Sequence, residues 1–159
     1  MIYSTTIEKN LISMNALHHY IHLKTKQNVQ LLDITDQVQQ LIADGHIING
    51  IVSISSQHTT VAVTVNENEA RLLDDIATFF EKLAPENSHY LHNDIHLRDC
   101  PPDEPENAHA HLIAMCMGNS ESFSVVEGKL VLGTYQSIMA IELDGPRERK
   151  LSVQLLGSA

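Results

Sequence analysis

Short apolar runs with the two-residue alternation of β-strands follow one another along this chain, and only three windows break into a helical period. Residues 47–55 (IINGIVSIS) and 60–65 (TVAVTV) are β-branched and alternating, with His58 and Thr59 between them. Further strand signals lie at 17–24 (LHHYIHLK), 29–34 (VQLLDI), 122–127, 129–133, 135–143 and 150–156, with a tight turn at Glu127-Gly128. The order is richer in hairpins than in βαβ units, which predicts an α+β fold. Small residues (Ser, Ala, Thr) fall on one face of 47–55 and 60–65, which predicts a less deeply packed face there.

The helical windows are equally specific. Thr35 and Asp36 open one that runs through Val38, Leu41 and Ile42 to a cap at Gly45. A second spans 68–83, with Asn68 as N-cap and a stripe of Leu72, Leu73, Ile76, Phe79, Phe80 and Leu83 that ends at Pro85. The third runs from Glu106 to Met117 and ends at Gly118. Between the last two, residues 85–105 form a loop holding four of the five prolines, and a structureless loop of that length in a compact domain is usually functional. Residues 1–15 are polar and weakly patterned. At 159 residues the chain is read as one domain with a core that needs no staples.

Charge narrows the function. The net charge of −10 argues against a nucleic-acid partner, which would require a basic face to displace counterions. No apolar run reaches the length of a membrane span, and the first residues lack the basic start and apolar run of a signal peptide. Cys100 and Cys116 make no disulfide framework and no C-x-x-C pair, so the expected compartment is the cytoplasm. Glycine is scarce, at seven residues, and no phosphate loop or dinucleotide fingerprint appears, so no nucleotide cofactor is expected.

What strands and helices do not need is a set of polar groups between residues 57 and 149. Five of the ten histidines (His89, His92, His96, His109, His111) crowd one interval, and imidazole is both the commonest metal ligand and the usual acid/base group near neutral pH. His58 begins an apolar strand as a ligand, an acid/base group or a simple cap, with Thr59 as a neighbouring hydroxyl able to hold phosphate. Asn68 caps its helix, and amides at such an end also hold anions. His92-Asn93-Asp94 sits in the proline-rich loop. His109 and His111 stand two apart on a helix and so face different ways; His111, next to the Leu112-Ile113-Ala114 run, is expected inward and His109 at the surface. Arg147 and Arg149 share a strand face if extended, which suits bidentate binding of phosphate or carboxylate. These residues support a His/Asp site that takes anionic groups, with or without a divalent metal.

Read in order, the stretches SSQHTTVAVTVNENE (55–69), YLHND (90–94), ENAHAHLIA (106–114), EGKLVLGTYQSI (127–138) and ELDGPRERK (142–150) resemble the YjbQ family, also called UPF0047. The resemblance runs from about residue 20 to residue 157, leaving the first fifteen or so residues outside it, and Tyr135 stands where the family usually has Trp. It implies an α+β fold with a mixed, largely antiparallel sheet packed with about three helices. It implies a homotrimer and a site of His58, His92, Asp94 and His111, with Gln136 and Arg149 nearby, close to a subunit boundary. It also implies zinc or magnesium at His58, His92 and His111, and a secondary thiamine-phosphate synthase activity on small phosphorylated metabolites. The competing expectation is a non-catalytic homotrimer that binds a metal or a metabolite.

Overall fold

The computed structural model describes residues 13–159. Most of the polar N-terminal stretch therefore lies outside the described residues.

Among the described residues, eight strands and three α-helices follow in the order β1 (Asn15–Lys24), β2 (Gln30–Asp33), α1 (Thr35–Asp44), β3 (Asn49–Ser56), β4 (Val61–Asn66), α2 (Ala70–Leu83), α3 (Ala108–Met117), β5 (Ser120–Val126), β6 (Lys129–Leu130), β7 (Ser137–Glu142) and β8 (Glu148–Ser158). The α+β reading holds, and the strands divide into two sheets. One has five strands in the order β1-β8-β3-β5-β6, the other three in the order β2-β7-β4. Every pairing is antiparallel.

The division follows from burial. In β4, Val61, Ala62 and Val63 are all buried, as are Ile138 to Glu142 in β7. A strand buried on both faces loses its polar alternation, so the three-stranded sheet must be a middle layer. On one side, Val61, Val63, Ile138 and Ala140 pack with Ile54, Val153, Leu155 and the α1 residues Val38 and Ile42. On the other, Ala62 and Ile141 pack with Phe80 of α2 and Ile113 of α3. The five-stranded sheet keeps its alternation: Val52 and Ile54 are buried, while Ser53 and Ser55 lie on the wetter face the small residues predicted; in β4 that expectation fails, because Ala62 is fully buried against Phe80 and Ile113 and Thr60 is buried as well.

Local chemistry moves one boundary. The N-cap of α2 is Glu69, not Asn68, because both Glu69 carboxylate oxygens accept from the amides of Arg71 and Leu72. Asn68 instead donates to Asp33. The α2 stripe is only partly covered: Phe80 is buried, but Phe79 is 53% exposed and Leu83 46%. The proline-rich loop is not structureless; it carries two 3-10 turns, Leu91–Asn93 and Ile95–Leu97. No described helix is long and apolar enough to cross a membrane.

Candidate functional site

The connection from β3 to β4 crosses from one sheet to the other, and that crossing places His58. Buried Ser56 makes the turn: its hydroxyl oxygen accepts from the His58 amide at 3.1 Å, and the hydroxyl lies 3.2 Å from the His58 carbonyl. This is the side-chain turn that Ser favours where a strand must stop. The β3 ladder on β8 ends at Ser56 opposite Leu151. The next amide of β8, that of Lys150, finds no strand partner there and donates to His58 Nε2 at 3.1 Å. With Nε2 accepting, the neutral ring carries its proton on Nδ1. Burial first, then the charge of Arg149, lowers the proton affinity of His58; Glu142 opposes this, and Lys150 adds a lesser lowering effect.

His58 and His111 line one cleft of about 640 Å³, together with Gln57, Thr59, Met115 and Asn119. His111 lies on α3, and His92 from the proline-rich loop meets it edge to face, with ring centroids 4.9 Å apart. That loop is pinned to the helix: Asn93 Oδ1 accepts from the first amide of α3, and Arg98 donates to the His92 carbonyl. Burial first, then His92, lowers the proton affinity of His111, and Arg98 adds to this; Asp144 and Glu104 oppose it less strongly. Asp94 is bound to His89 at 3.3 Å.

The expectation for α3 is reversed in part. His109 and His111 do face different ways, but His109 is the buried one, at 7% exposure, and His111 is half-buried in the cleft. The run that was expected to draw His111 inward turns its Ala110, Ile113 and Ala114 to the core, and His109 follows them.

Arg149 also differs from expectation. It is buried, and its Nε and Nη2 donate to the two oxygens of buried Glu142 at 2.6 Å each. Nη2 reaches Thr60 Oγ1 at 3.2 Å as well. Burial alone would raise the Glu142 carboxyl; hydrogen bonds from Arg149, the Asp144 amide and Thr25, with the Arg149 charge, outweigh it and hold the group below its ordinary value. Arg147 lies before β8, so it does not share a strand face with Arg149; it pairs with Asp144 at 3.1 Å. Asp144 in turn accepts from Asn107 Nδ2 at 2.8 Å. Glu142, Asp144, Thr60 and Asn107 were not singled out by sequence as site residues. The stretch 142–150 holds the first two, and the stretches 55–69 and 106–114 hold Thr60 and Asn107.

Gln136 and Asn68 stand apart. In β7 and β4, Glu142 pairs with Val61 and Ser137 with Asn66, so the His58 end and the Gln136 end are opposite ends of one sheet. At the rise of a strand they are roughly 17 Å apart. Gln136 folds back to accept from the Gly133 amide at 2.7 Å. Asn68 joins Asp33, whose other oxygen accepts from the amide and hydroxyl of Thr35 at 2.9 and 2.6 Å.

Among the described residues no group of three His, Cys, Asp or Glu converges as a cation site. The set His58, His92 and His111 does not close around an ion within one chain, because His58 turns its basic nitrogen to Lys150 and leaves a protonated one. His92 and His111 remain as a pair of donors.

The family model described as UPF0047 protein YjbQ-like matches residues 19–158. The chain belongs to this family. A UPF0047 protein of Methanothermobacter thermautotrophicus is 38% identical over 146 residues, covering 92% of this chain and 96% of that one. Another, of Archaeoglobus fulgidus, is 42% identical over 134 residues, covering 84% and 97%. The crystal structure of a YbjQ-like protein of unknown function from Sulfolobus solfataricus, 40% identical, superposes with a TM-score of 0.82 over 92% of this chain and all of that one. A hypothetical protein of Aeropyrum pernix, 37% identical, gives 0.81 over 89% and 99%. The UPF0047 fold thus covers the two sheets, the three helices and the cleft.

Proposed function

We propose that this UPF0047 protein is a cytoplasmic acid/base enzyme for small phosphorylated metabolites, with thiamine-phosphate synthase as a secondary activity. The observation that carries it is the placing of two histidines, His58 and His111, in one cleft with lowered proton affinity. Both rings are neutral near pH 7, which suits proton transfer there. In the reaction, the thiazole nitrogen forms a bond to the pyrimidine methylene carbon as the carbon–oxygen bond to diphosphate breaks. His58 Nδ1–H donates to the departing oxygens. His111, backed by His92, orients the ligand through a hydrogen bond to its ring. Thr59 adds a hydroxyl at the cleft. Arg149 and Arg147 already serve Glu142 and Asp144, so the leaving diphosphate meets little uncompensated positive charge. That balance fits a slow, secondary reaction.

A second copy completes the site in this reading, as part of a homotrimer. Exposed apolar groups support it: Met115, which lines the cleft, Leu91 and Leu112, next in the chain to His92 and His111, and Tyr135, next to Gln136. Zinc or magnesium, where bound, takes ring nitrogens of His92 and His111 and needs further donors from outside this set.

Purified protein incubated with the two phosphorylated precursors should form thiamine phosphate, and His58→Ala or His111→Ala should cut the rate by about 10²-fold or more. Equal background in the wild type and both variants overturns the reading. A non-catalytic binding trimer is favoured by the neutralised arginines, and saturable binding of thiamine phosphate without turnover would establish it.

A further inference from the structure

The arginines near the cleft are already engaged. Arg149 holds Glu142, Arg147 pairs with Asp144, and Arg98 donates to the His92 carbonyl. Lys150 differs: among the described residues it makes no ion pair. Its ammonium rests over the ring of Tyr20, 4.4 Å from the centroid. Lys150 is only partly buried and Tyr20 is exposed, and a cation–π contact in such a place is weak. A phosphate, with its full negative charge, competes well for that ammonium.

The backbone sets Lys150 beside the cleft. Its amide donates to His58 Nε2 at 3.1 Å, and the β3 ladder stops one residue away, at Ser56 opposite Leu151. Gln57, the next residue of the chain, lines the cleft. Arg149 and Leu151 are buried, so the Lys150 side chain points to the opposite, open face of the five-stranded sheet. There exposed His22 of β1 stands directly across from it. The acid on the same face of β8, Glu148, stands across from Lys24. The Lys150 charge is felt at His58, where it adds to the lowering of proton affinity. We propose, on the reading that the cleft is the ligand site, that Lys150 is its anion-binding arm and takes the phosphate or diphosphate end of a ligand seated between His58 and His111. Tyr20 holds the ammonium when no anion is bound, and His22 adds an imidazole donor beside it. The four-carbon stem of lysine supplies the swing between the two positions.

Calorimetric titration of the full chain with inorganic diphosphate, thiamine phosphate and unphosphorylated thiamine tests this. Lys150→Met should weaken diphosphate and thiamine phosphate by about tenfold or more and leave thiamine unchanged. Lys150→Arg, which keeps the charge, should retain most of the affinity for both anions. Both variants should keep the wild-type urea midpoint, because the side chain stands outside the core. Unchanged binding of both anions to Lys150→Met overturns the proposal; if thiamine phosphate still shifts the His58 and His111 rings of that variant, the cleft stands as the ligand site without the arm. An equal loss of thiamine affinity makes Lys150 a structural residue and also overturns it. Failure of thiamine phosphate to bind the wild type overturns both the arm and the cleft.

Discussion

The Arg149 guanidinium holds both oxygens of Glu142, through Nε and Nη2 at 2.6 Å each, with both residues buried at the end of β7 nearest His58. A buried pair of this kind is costly to break because the surviving charge has no water to return to. Glu142→Ala or Arg149→Met should each destabilise the fold by roughly 3–5 kcal/mol, while Glu142→Leu combined with Arg149→Met should recover much of that. Urea unfolding of the three variants checks it.

Gly145 is fixed by its surroundings. A Cβ there would lie 2.2 Å from the Gln27 carbonyl oxygen and 2.8 Å from Glu142 Cγ. Gly145→Ala must push apart the turn that carries Asp144 and Arg147. The expected cost is about 1–3 kcal/mol in stability, read from the denaturation midpoint.

Ser56 acts on His58 more than on the core. Its hydroxyl shapes the turn, so Ser56→Ala should cost only about 1 kcal/mol in stability. The loss in thiamine-phosphate formation should be larger than that change explains, because the Lys150 contact no longer fixes the ring. Parallel measurement of stability and rate separates the two effects.

Acid should weaken the fold in two stages. His58 and His111 both have lowered proton affinity, chiefly through burial. The unfolded chain therefore binds protons first, and the stability these rings contribute is complete above about pH 6.5 and is lost as pH falls through their folded values. Glu142 and Asp33 are also lowered, so their contribution is lost at more acid pH, from about the ordinary carboxylate value downward. Urea midpoints from about pH 7.5 to about pH 3 should show both declines, and replacing His58 and His111 with Gln should remove the first.

If a second copy completes the cleft, mixing a His58→Ala chain with a Gln136→Ala chain should restore part of the activity each lacks alone. Absence of recovery after refolding the mixture would confine the site to one chain.

Much of the fold was legible because it is local. Period-two runs marked the strands, and Gly45, Pro85 and Gly118 marked helix ends. The two-sheet division was not, because the continuous burial of Val61–Val63 depends on which layers arrive on each side. In the site, His58, His92 and His111 were legible as chemistry out of place in a scaffold. The bidentate carboxylate partner expected for Arg149 is the chain's own Glu142 and not a ligand, which the sequence did not show because Glu142 ends an apolar strand. His109 was misread because spacing shows that two residues face apart but not which of them faces in.

The central claim is that His58 and His111 act in one cleft on one ligand. The imidazole nitrogen resonances of the protein, titrated with thiamine phosphate, test it most directly. The account predicts that His58 and His111 shift together with a single saturation curve while His109 does not move. Shifts in only one of the two rings, or none at saturating ligand, would contradict it.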